Sequence, residues 1–408
     1  MEMKTVHIGD LGEIKTGSTP SKKNPDNYGD YALWIKPTDI NPDEKYTRVV
    51  EEMFSEKAAI DCRSRLIPAN SICVPCIGTV GTKLTMTPCD CFVNQSINAV
   101  IPNEDYDNDY VYYLLLNFLP NLKSINKGTA SGREYIAKSA FENIEIKVHS
   151  DIEVQRSIGQ ILSAYDDMIE NCKKQIALLE EAAQRLYREW FVDLRFPGHE
   201  TTPLGENGLP EGWKSSKLGD ICSYQRGVSY TTPELGSGNI FVNLKNIASY
   251  GGYNFGAEKL FSGKFKICHI VDTNDLVMGI TDMTSERRCV GHVALIPEIK
   301  GTKIISPDLI KLCPQIPKRF LYSQLRFGGV SRIISQSANG TNVAHLKPEQ
   351  AMNTMILVPN EEIMNQFELI ISFYTEIINN LLTMASYANK TKQLLLPRLI
   401  SGQIEINA

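Results

Sequence analysis

"HIGDLGEIKTG" (His7–Gly17) and "KLGDICSYQRG" (Lys217–Gly227) are one opening written twice. Gly9, Asp10 and Gly17 recur 210 residues later as Gly219, Asp220 and Gly227, in the same order of apolar and polar neighbours. The correspondence runs on. "LWIKPTDI" (Leu33–Ile40) matches "IFVNLKNI" (Ile240–Ile247), and "ANSICVPCIGTVG" from Ala69 matches "TNDLVMGITDMT" from Thr273. "DYVYYLL" from Asp109 matches "RFLYSQL" from Arg319, and "TASGREYIAKSAFENIEIKV" from Thr129 matches "NGTNVAHLKPEQAMNTMILV" from Asn339. A period this long means a duplicated domain and not a solenoid. Short β-branched runs broken by Gly, Asn and Pro predict two homologous, strand-rich α+β domains with long polar loops. Identities are few, so the copies share a fold more than a surface.

Each copy leads into a helical pattern. "SDIE" from Ser150 reads as a capping box, with Ser150 as N-cap and Glu153 three positions on. A heptad seam follows through Val154, Ile158, Ile161, Tyr165, Met168, Cys172, Leu179, Ala182 and Leu186. The second runs through Ile363, Phe367, Ile370, Tyr374, Ile377, Leu381, Met384, Ala388 and Leu395, each matched position 209 residues on. Pro197-Gly198 and Pro397 are the predicted stops. Matched registers favour mutual antiparallel pairing into a coiled-coil spacer, about 60 Å long for about 40 residues, between two domains related by an internal pseudo-two-fold axis. The expected layout is a first domain over 1–149, a helix over 150–196 and a linker over 197–213. A second domain over 214–359, a helix over 360–400 and a tail over 401–408 complete it. "FPGHETTPLGENGLPEGW", with four Gly and three Pro, has linker composition.

Composition is that of an ordinary globular protein, 42% apolar and 22% charged over 408 residues. No apolar run is long enough to span a bilayer and no signal peptide is evident, so the expectation is a cytoplasmic protein without membrane contact. The ten cysteines then read as reduced thiols. Cys73, Cys76, Cys89 and Cys91 offer four soft ligands, but C-x-C is cramped for a zinc knuckle and the second copy has no counterpart. Buried small hydrophobes are the better reading. The net charge of −5 is unevenly spread. Residues 1–150 hold 16 Lys+Arg against 20 Asp+Glu, whereas residues 213–359 hold 17 against 10. A basic domain in an acidic chain points to a phosphate-facing surface.

The chain has no GxxxxGK[ST] loop, no strand–GxGxxG–helix motif, no GxSxG elbow and no histidine pair at metal-ligand spacing. One loose nuclease pattern survives: Pro25-Asp26 followed by Asp43-Glu44-Lys45. What recurs in both copies is polar, Gly-rich loops suited to phosphates and base edges. Lys15, Thr16, Ser18, Thr19, Lys22 and Lys23 lie in "KTGSTPSKK", Lys36 and Thr38 in "LWIKPTDI", Thr79 and Lys83 in "GTVGTK", and Ser131, Arg133 and Tyr135 in "SGREY". The second copy offers Arg226, Ser229 and Tyr230, then Asn243, Lys245 and Asn246, then Thr284, Arg287 and Arg288 in "ITDMTSERR", and Asn339, Thr341 and Asn342 in "NGTN". Arg is the side chain best suited to guanine in the major groove.

This layout resembles the DNA-specificity subunits of type I restriction–modification enzymes. The resemblance rests on "LGEIKTGSTPS", "LWIKPTDI", "VNQSINAVIP", "REYIAKSAFENIEIKV", the long helix, "GLPEGW", the second "KLGDI", and a second helix ending in "LLLPRLISGQI". It implies a non-catalytic subunit that reads a split, asymmetric double-stranded DNA site, one half per domain, with the helices setting the spacer. It also implies two adenine methyltransferase subunits docked on the helices, and restriction/translocase subunits beside them. S-adenosylmethionine, ATP and magnesium would belong to those partners, with no cofactor on this chain. The family writes Glu-Gln into the first turn of each helix; here "IEVQ" has Gln155 and "IMNQ" has Gln366, each without the Glu. The alternatives are the specificity subunit of a type II split-site system, a metal-dependent nuclease using Asp26, Asp43 and Lys45, and a coiled-coil protein adaptor.

Overall fold

The computed structural model describes residues 2–125, 134–340 and 343–406, which form two compact units: residues 1–169 with 388–408, and residues 170–387. Each contains one copy of the repeat and parts of both long helices.

In the first unit a central antiparallel sheet is built from β1 (Gly12–Thr16), β2 (Ile72–Pro75), β3 (Thr85–Met86) and β4 (Ile97–Pro102), in the order β1-β4-β2-β3. In the second, β5 (Cys222–Arg226), β6 (Leu276–Gly279), β7 (Val293–Leu295) and β8 (Leu309–Pro314) take the order β5-β8-β6-β7. The topology is the same. Both sheets are covered on both faces. Ile14, Ile72, Val74 and Val100 join one core cluster of the first unit, while Cys73, Ile97 and Ala99 face another. Leu276, Met278, Ile310 and Leu312 are divided in the same way from Val277 and Leu309. Double burial is why the inner strands β2 (ICVP) and β6 (LVMG) read as continuous apolar runs, whereas the edge strands β1 (GEIKT) and β5 (CSYQR) keep polar residues.

A second sheet in each unit carries one parallel pair: Trp34 beside Phe92 and Ile35 beside Val93, then Phe241 beside Ile304 and Val242 beside Ile305. Trp34 and Phe54 stack in the first copy, Phe241 and Phe261 in the second. The N-terminal strand of each copy pairs with the strand that precedes its helix, Met3–His7 with Glu145–His149 and Lys214–Lys217 with Met355–Val358.

The repeated opening has the same structural work in each copy. Asp10 accepts from the His7 amide (2.7 Å) and Asp220 from the Lys217 amide (3.2 Å). A Cβ on Gly9 would meet the Glu142 backbone at 3.3 Å, and one on Gly219 would meet Met352 at 3.1 Å. Gly17 and Gly227 are tighter: a Cβ would stand 2.0 Å from the Val93 carbonyl oxygen in one and 2.0 Å from that of Ser306 in the other. Gly17 and Gly227 recur because the same backbone segments approach too closely there for any side chain.

Helices α1 (Ile152–Phe191) and α2 (Glu361–Ile400) are each 40 residues long. They pack together and run antiparallel. Asp166 accepts from Lys392 Nζ (2.5 Å) within the first unit, and Tyr187 meets Phe367 edge-on (6.1 Å) within the second. Several expectations are corrected. Asp151, not Ser150, caps α1, by accepting from the Glu153 amide (2.9 Å). α1 ends at Phe191, before Pro197, where Leu194 turns the chain with a φ of 56°. Pro397 does not stop α2 but lies in its last turn.

The heptad seam also shifts. Ile158, Phe367 and Leu381 are buried, and Tyr165, Leu179, Leu186, Ile370, Tyr374 and Leu395 are partly buried. Ile161, Met168 and Ile377 face solvent, while Leu162, Cys172, Ala183 and Tyr187 take the inner positions. A 3.6-residue helix drifts from a strict heptad, and here its ends pack on globular cores as well as on the partner helix. Among the described residues no helix is long and apolar enough to cross a membrane.

Candidate nucleic-acid interface

Strand register gathers the loops. β1 ends at Thr16 opposite Asn98, and β2 ends at Pro75 opposite Ile97, where β4 begins. Loops 17–23, 76–83 and 94–96 therefore leave the sheet at one end. Thr16 Oγ1 donates to Asn98 Oδ1 (2.7 Å), Asn94 Nδ2 to Thr19 Oγ1 (3.0 Å), and Trp34 Nε1 to the Ser18 carbonyl (3.1 Å). Ile77 bridges Tyr135, and the Gly78 amide donates to the Glu134 carbonyl (2.9 Å), which joins "GTVGTK" to "SGREY". Ser131 and Arg133 lie outside the described residues. Lys22, Lys23 and Thr38 are exposed. Lys15 Nζ lies 3.6 Å from Glu13, and Lys83 Nζ donates to the Ile40 carbonyl (3.2 Å). The half-buried Thr79 has its hydroxyl turned inward.

The second copy repeats the geometry. β5 ends at Arg226 opposite Ile310, and β6 ends at Gly279 opposite Leu309, the first residue of β8. Loops 227–231, 280–289 and 306–308 share that end, tied by Thr281 Oγ1 donating to Asp308 Oδ1 (3.0 Å). Thr281 and Asp282 pair with His345 and Ala344, which adds the turn containing Asn339; Thr341 and Asn342 lie outside the described residues. Asp282 organises the loop. It accepts from the Thr284 amide (2.8 Å) and hydroxyl (2.7 Å), and from the amides of Cys289 (2.5 Å) and Val290 (3.1 Å). Burial works against this carboxylate, but those donors outweigh it and hold its pKa below the usual range. Arg226, Ser229, Tyr230, Lys245, Thr284, Arg288 and Asn339 are exposed.

Four expected DNA contacts are redirected by the fold. Lys36 is held by Glu51 (2.7 Å) and Glu52 (2.8 Å); burial opposes its charge, but the two carboxylates outweigh that and raise its pKa. Asn243 and Asn246 are buried: their amides donate to the carbonyls of Ala257 (2.9 Å) and Asn254 (3.0 Å) and fix the chain's own turn. Arg287 donates to the carbonyls of Ser335 (3.0 Å) and Gln336 (3.1 Å) at the end of helix Val330–Gln336. Its neighbour Arg288 is the arginine left outside.

Two cation pairs escaped the sequence reading. Arg63 and Arg65 are exposed on a short turn, and Arg65 Nη1 donates to the Thr16 carbonyl (3.0 Å) at the end of β1. Lys264 and Lys266 are exposed in the corresponding connection of the second copy, just before the turn Ile267–His269 that packs beside β5. The available signal was cation-x-cation shortly before a matched strand position in both copies, Ile67 and Val271.

The nuclease constellation does not assemble. Lys45 is buried and donates to Asp109 (2.7 Å) and Ser163 (2.8 Å), whereas Asp26 stands 3.8 Å from Lys57. The thiols of Cys73 and Cys76 are pushed up to about 12 by burial, which disfavours the thiolate that zinc requires. Among the described residues no group of three or more His, Cys, Asp or Glu is placed to hold a metal ion. Gln155 is buried, donating to the His149 carbonyl (2.9 Å) and accepting from the Asp107 amide (3.1 Å). Gln366 is exposed; by the 209-residue offset, Gln155 corresponds instead to Met364.

Comparison with known proteins agrees with this architecture. The sequence model of the type I restriction modification DNA specificity domain matches residues 1–181. The MjaIX specificity subunit of Methanocaldococcus jannaschii, a type I restriction enzyme subunit, is 28% identical across 98% of this chain and 93% of its own. The HindI specificity subunit of Haemophilus influenzae is 32% identical over 44% of this chain and 38% of its own. In fold, the S subunit of a type I system from M. genitalium superposes with a TM-score of 0.61, at 15% identity, over 100% of this chain and 97% of that one. The duplicated sheets, the paired helices and these relatives point one way: the chain is similar over nearly its whole length to a specificity subunit of a type I restriction enzyme, and its residues 1–181 match the type I restriction modification DNA specificity domain.

Proposed function

We propose that the chain reads a bipartite, asymmetric DNA site, with residues 1–149 and 214–359 as target-recognition domains for one half each. The supporting observation is the repeated sheet end: identical topology gathers three loops in each copy, yet the loop residues differ. Thr16, Thr19, Asn94 and Arg63 stand where the second copy has Arg226, Ser229, Ser306 and Ile267. Like scaffolds with unlike loops read unlike words.

The long helices, residues 150–196 and 360–400, set the distance between the halves and seat two adenine methyltransferase subunits. Within the second unit α2 has a second apolar stripe, Leu369, Phe373, Ile377, Met384 and Tyr387, exposed on one side of the helix away from the buried Phe367, Ile371 and Leu381. A soluble helix that is apolar on two sides supports partner docking. The test is to co-express the chain with its methyltransferase and map methyladenine across the host genome. A split motif with unlike halves and a fixed gap is expected; a short continuous motif would overturn the two-reader assignment.

A further inference from the structure

The most exposed large apolar side chain in the second unit is Ile267, with 88% of its surface open to solvent. It begins a single turn, Ile267–His269, in the connection between the strand Lys259–Phe261 and the strand Ile270–Val271. Phe261 and Val271 are buried at the two ends of that connection. Inside it, the His269 amide donates to the Lys266 carbonyl (3.0 Å), and the Lys266 amide bonds His269 Nδ1 (3.2 Å). The tip is thus held in one conformation, with its apolar side chain turned outward.

Its own segment is cationic, although the Glu234 carboxylate lies beside Gly263 and Asp275 holds Lys311 (2.5 Å). "GKFKICH" (Gly263–His269) contains no acid, and Lys264, Phe265 and Lys266 are exposed beside Ile267. The Ile270 carbonyl accepts from Lys311 Nζ (3.3 Å), and Lys311 pairs with Gln225, one residue from the end of β5. The tip therefore sits by the loop end already assigned to DNA. The first copy has no such side chain there: its turn Arg63–Arg65 is polar throughout.

We propose that Ile267 is a wedge that enters the duplex and unstacks one base step in the half-site read by the second domain, while Lys264 and Lys266 hold the flanking phosphates. An apolar side chain flanked by cations fits this occupant. The base stack accepts the sec-butyl surface, and the phosphates on either side accept the ammonium groups. The first half-site, met by arginines, is read without a wedge. This inference rests on the DNA-recognition reading above.

The experiment uses the full chain co-purified with its methyltransferase. Random-sequence duplexes are selected for binding, and the enriched duplex is then scanned with 2-aminopurine at each position. The wild-type complex should raise fluorescence at one step, confined to one half-site. Ile267→Ala should abolish that signal and weaken binding about tenfold or more, with Ile267→Met restoring most of both. Lys264→Gln with Lys266→Gln should weaken binding to all duplexes alike and reduce its salt dependence. Because the side chain is in solvent, Ile267→Ala should melt with the wild type. If Ile267→Ala keeps wild-type affinity and fluorescence on the selected duplex, the wedge is wrong and the recognition reading stands. If the wild-type complex enriches no sequence, the recognition reading fails and the wedge with it.

Discussion

Replacing Gly17 by Ala should unfold the first copy locally, and replacing Gly227 by Ala should do the same to the second. In each copy the new methyl carbon would stand 2.0 Å from a backbone carbonyl oxygen, with a second at 2.5 Å. Ordinary carbon–oxygen contact is about 3.3 Å, so one backbone must retreat by more than about 1 Å. The retreat breaks the bonds that hold the segments together. These are Gly17 N to the Ile97 carbonyl (3.2 Å) and Ser18 N to the Val93 carbonyl (3.0 Å), matched by Gly227 N to Leu309 (3.2 Å) and Val228 N to Ile305 (2.9 Å). Each is worth about 1 kcal/mol net, and overpacking a tight site adds about 1–3 kcal/mol. About 3–5 kcal/mol is a large share of the ~5–15 kcal/mol that holds a typical domain. Hydrogen exchange followed by mass spectrometry separates the copies: Gly17→Ala should deprotect residues 92–102, and Gly227→Ala residues 303–314. A change under about 1 kcal/mol in either variant would refute the claim that the repeated glycine is kept for close approach.

Lys45→Met should destabilise the first unit by about 2–4 kcal/mol in urea denaturation, because Asp109 loses its buried partner; magnesium-dependent DNA cleavage by the wild type, lost in this variant, would revive the nuclease alternative. Asp282→Asn should cost about 2–4 kcal/mol, since an amide nitrogen would face backbone donors. The folded pKa of Asp282 is depressed, so its stabilisation is present above the ordinary value of about 3.9 and fades as pH falls through the folded one. Melting curves between neutral and acid pH should therefore converge for wild type and variant. Phe373→Ser with Ile377→Ser should abolish co-purification of the methyltransferase while leaving the melting temperature within about 2 °C, because both side chains are exposed. Neutralising Lys264 and Lys266 should flatten the salt dependence of DNA binding more than neutralising Lys22 and Lys23, since Lys22 stands 3.7 Å from Glu52.

Much of the architecture follows from local pattern. The 210-residue echo of Gly9, Asp10 and Gly17 announced two copies, because a backbone approach that excludes a side chain must be written as Gly wherever it recurs. The apolar repeats from Val154 and Ile363 announced two long helices, because helical period is a property of neighbours along the chain. Which face of those helices is inner was not local: Leu162 lies inward in place of Ile161 and Tyr187 in place of Leu186, because globular cores compete with the partner helix for the same turns.

The candidate interface shows the same division. Polar, Gly-rich composition marked the loops, but composition is blind to side-chain partners. Lys36 looked like a phosphate contact until Glu51 and Glu52, fifteen and sixteen residues away, were folded onto it. Arg287 looked like a base reader until its guanidinium met the end of a helix nearly fifty residues on. Arg65 and Ile267 drew no notice because their significance comes from sheet register, which brings strand ends distant in sequence to one edge. Sequence by itself determined that this protein has two like domains and two long helices, because propensity and close packing are encoded residue by residue. Only the tertiary structure decided which charges remain exposed, because an ion pair or a shared sheet end joins residues that carry no mark of each other.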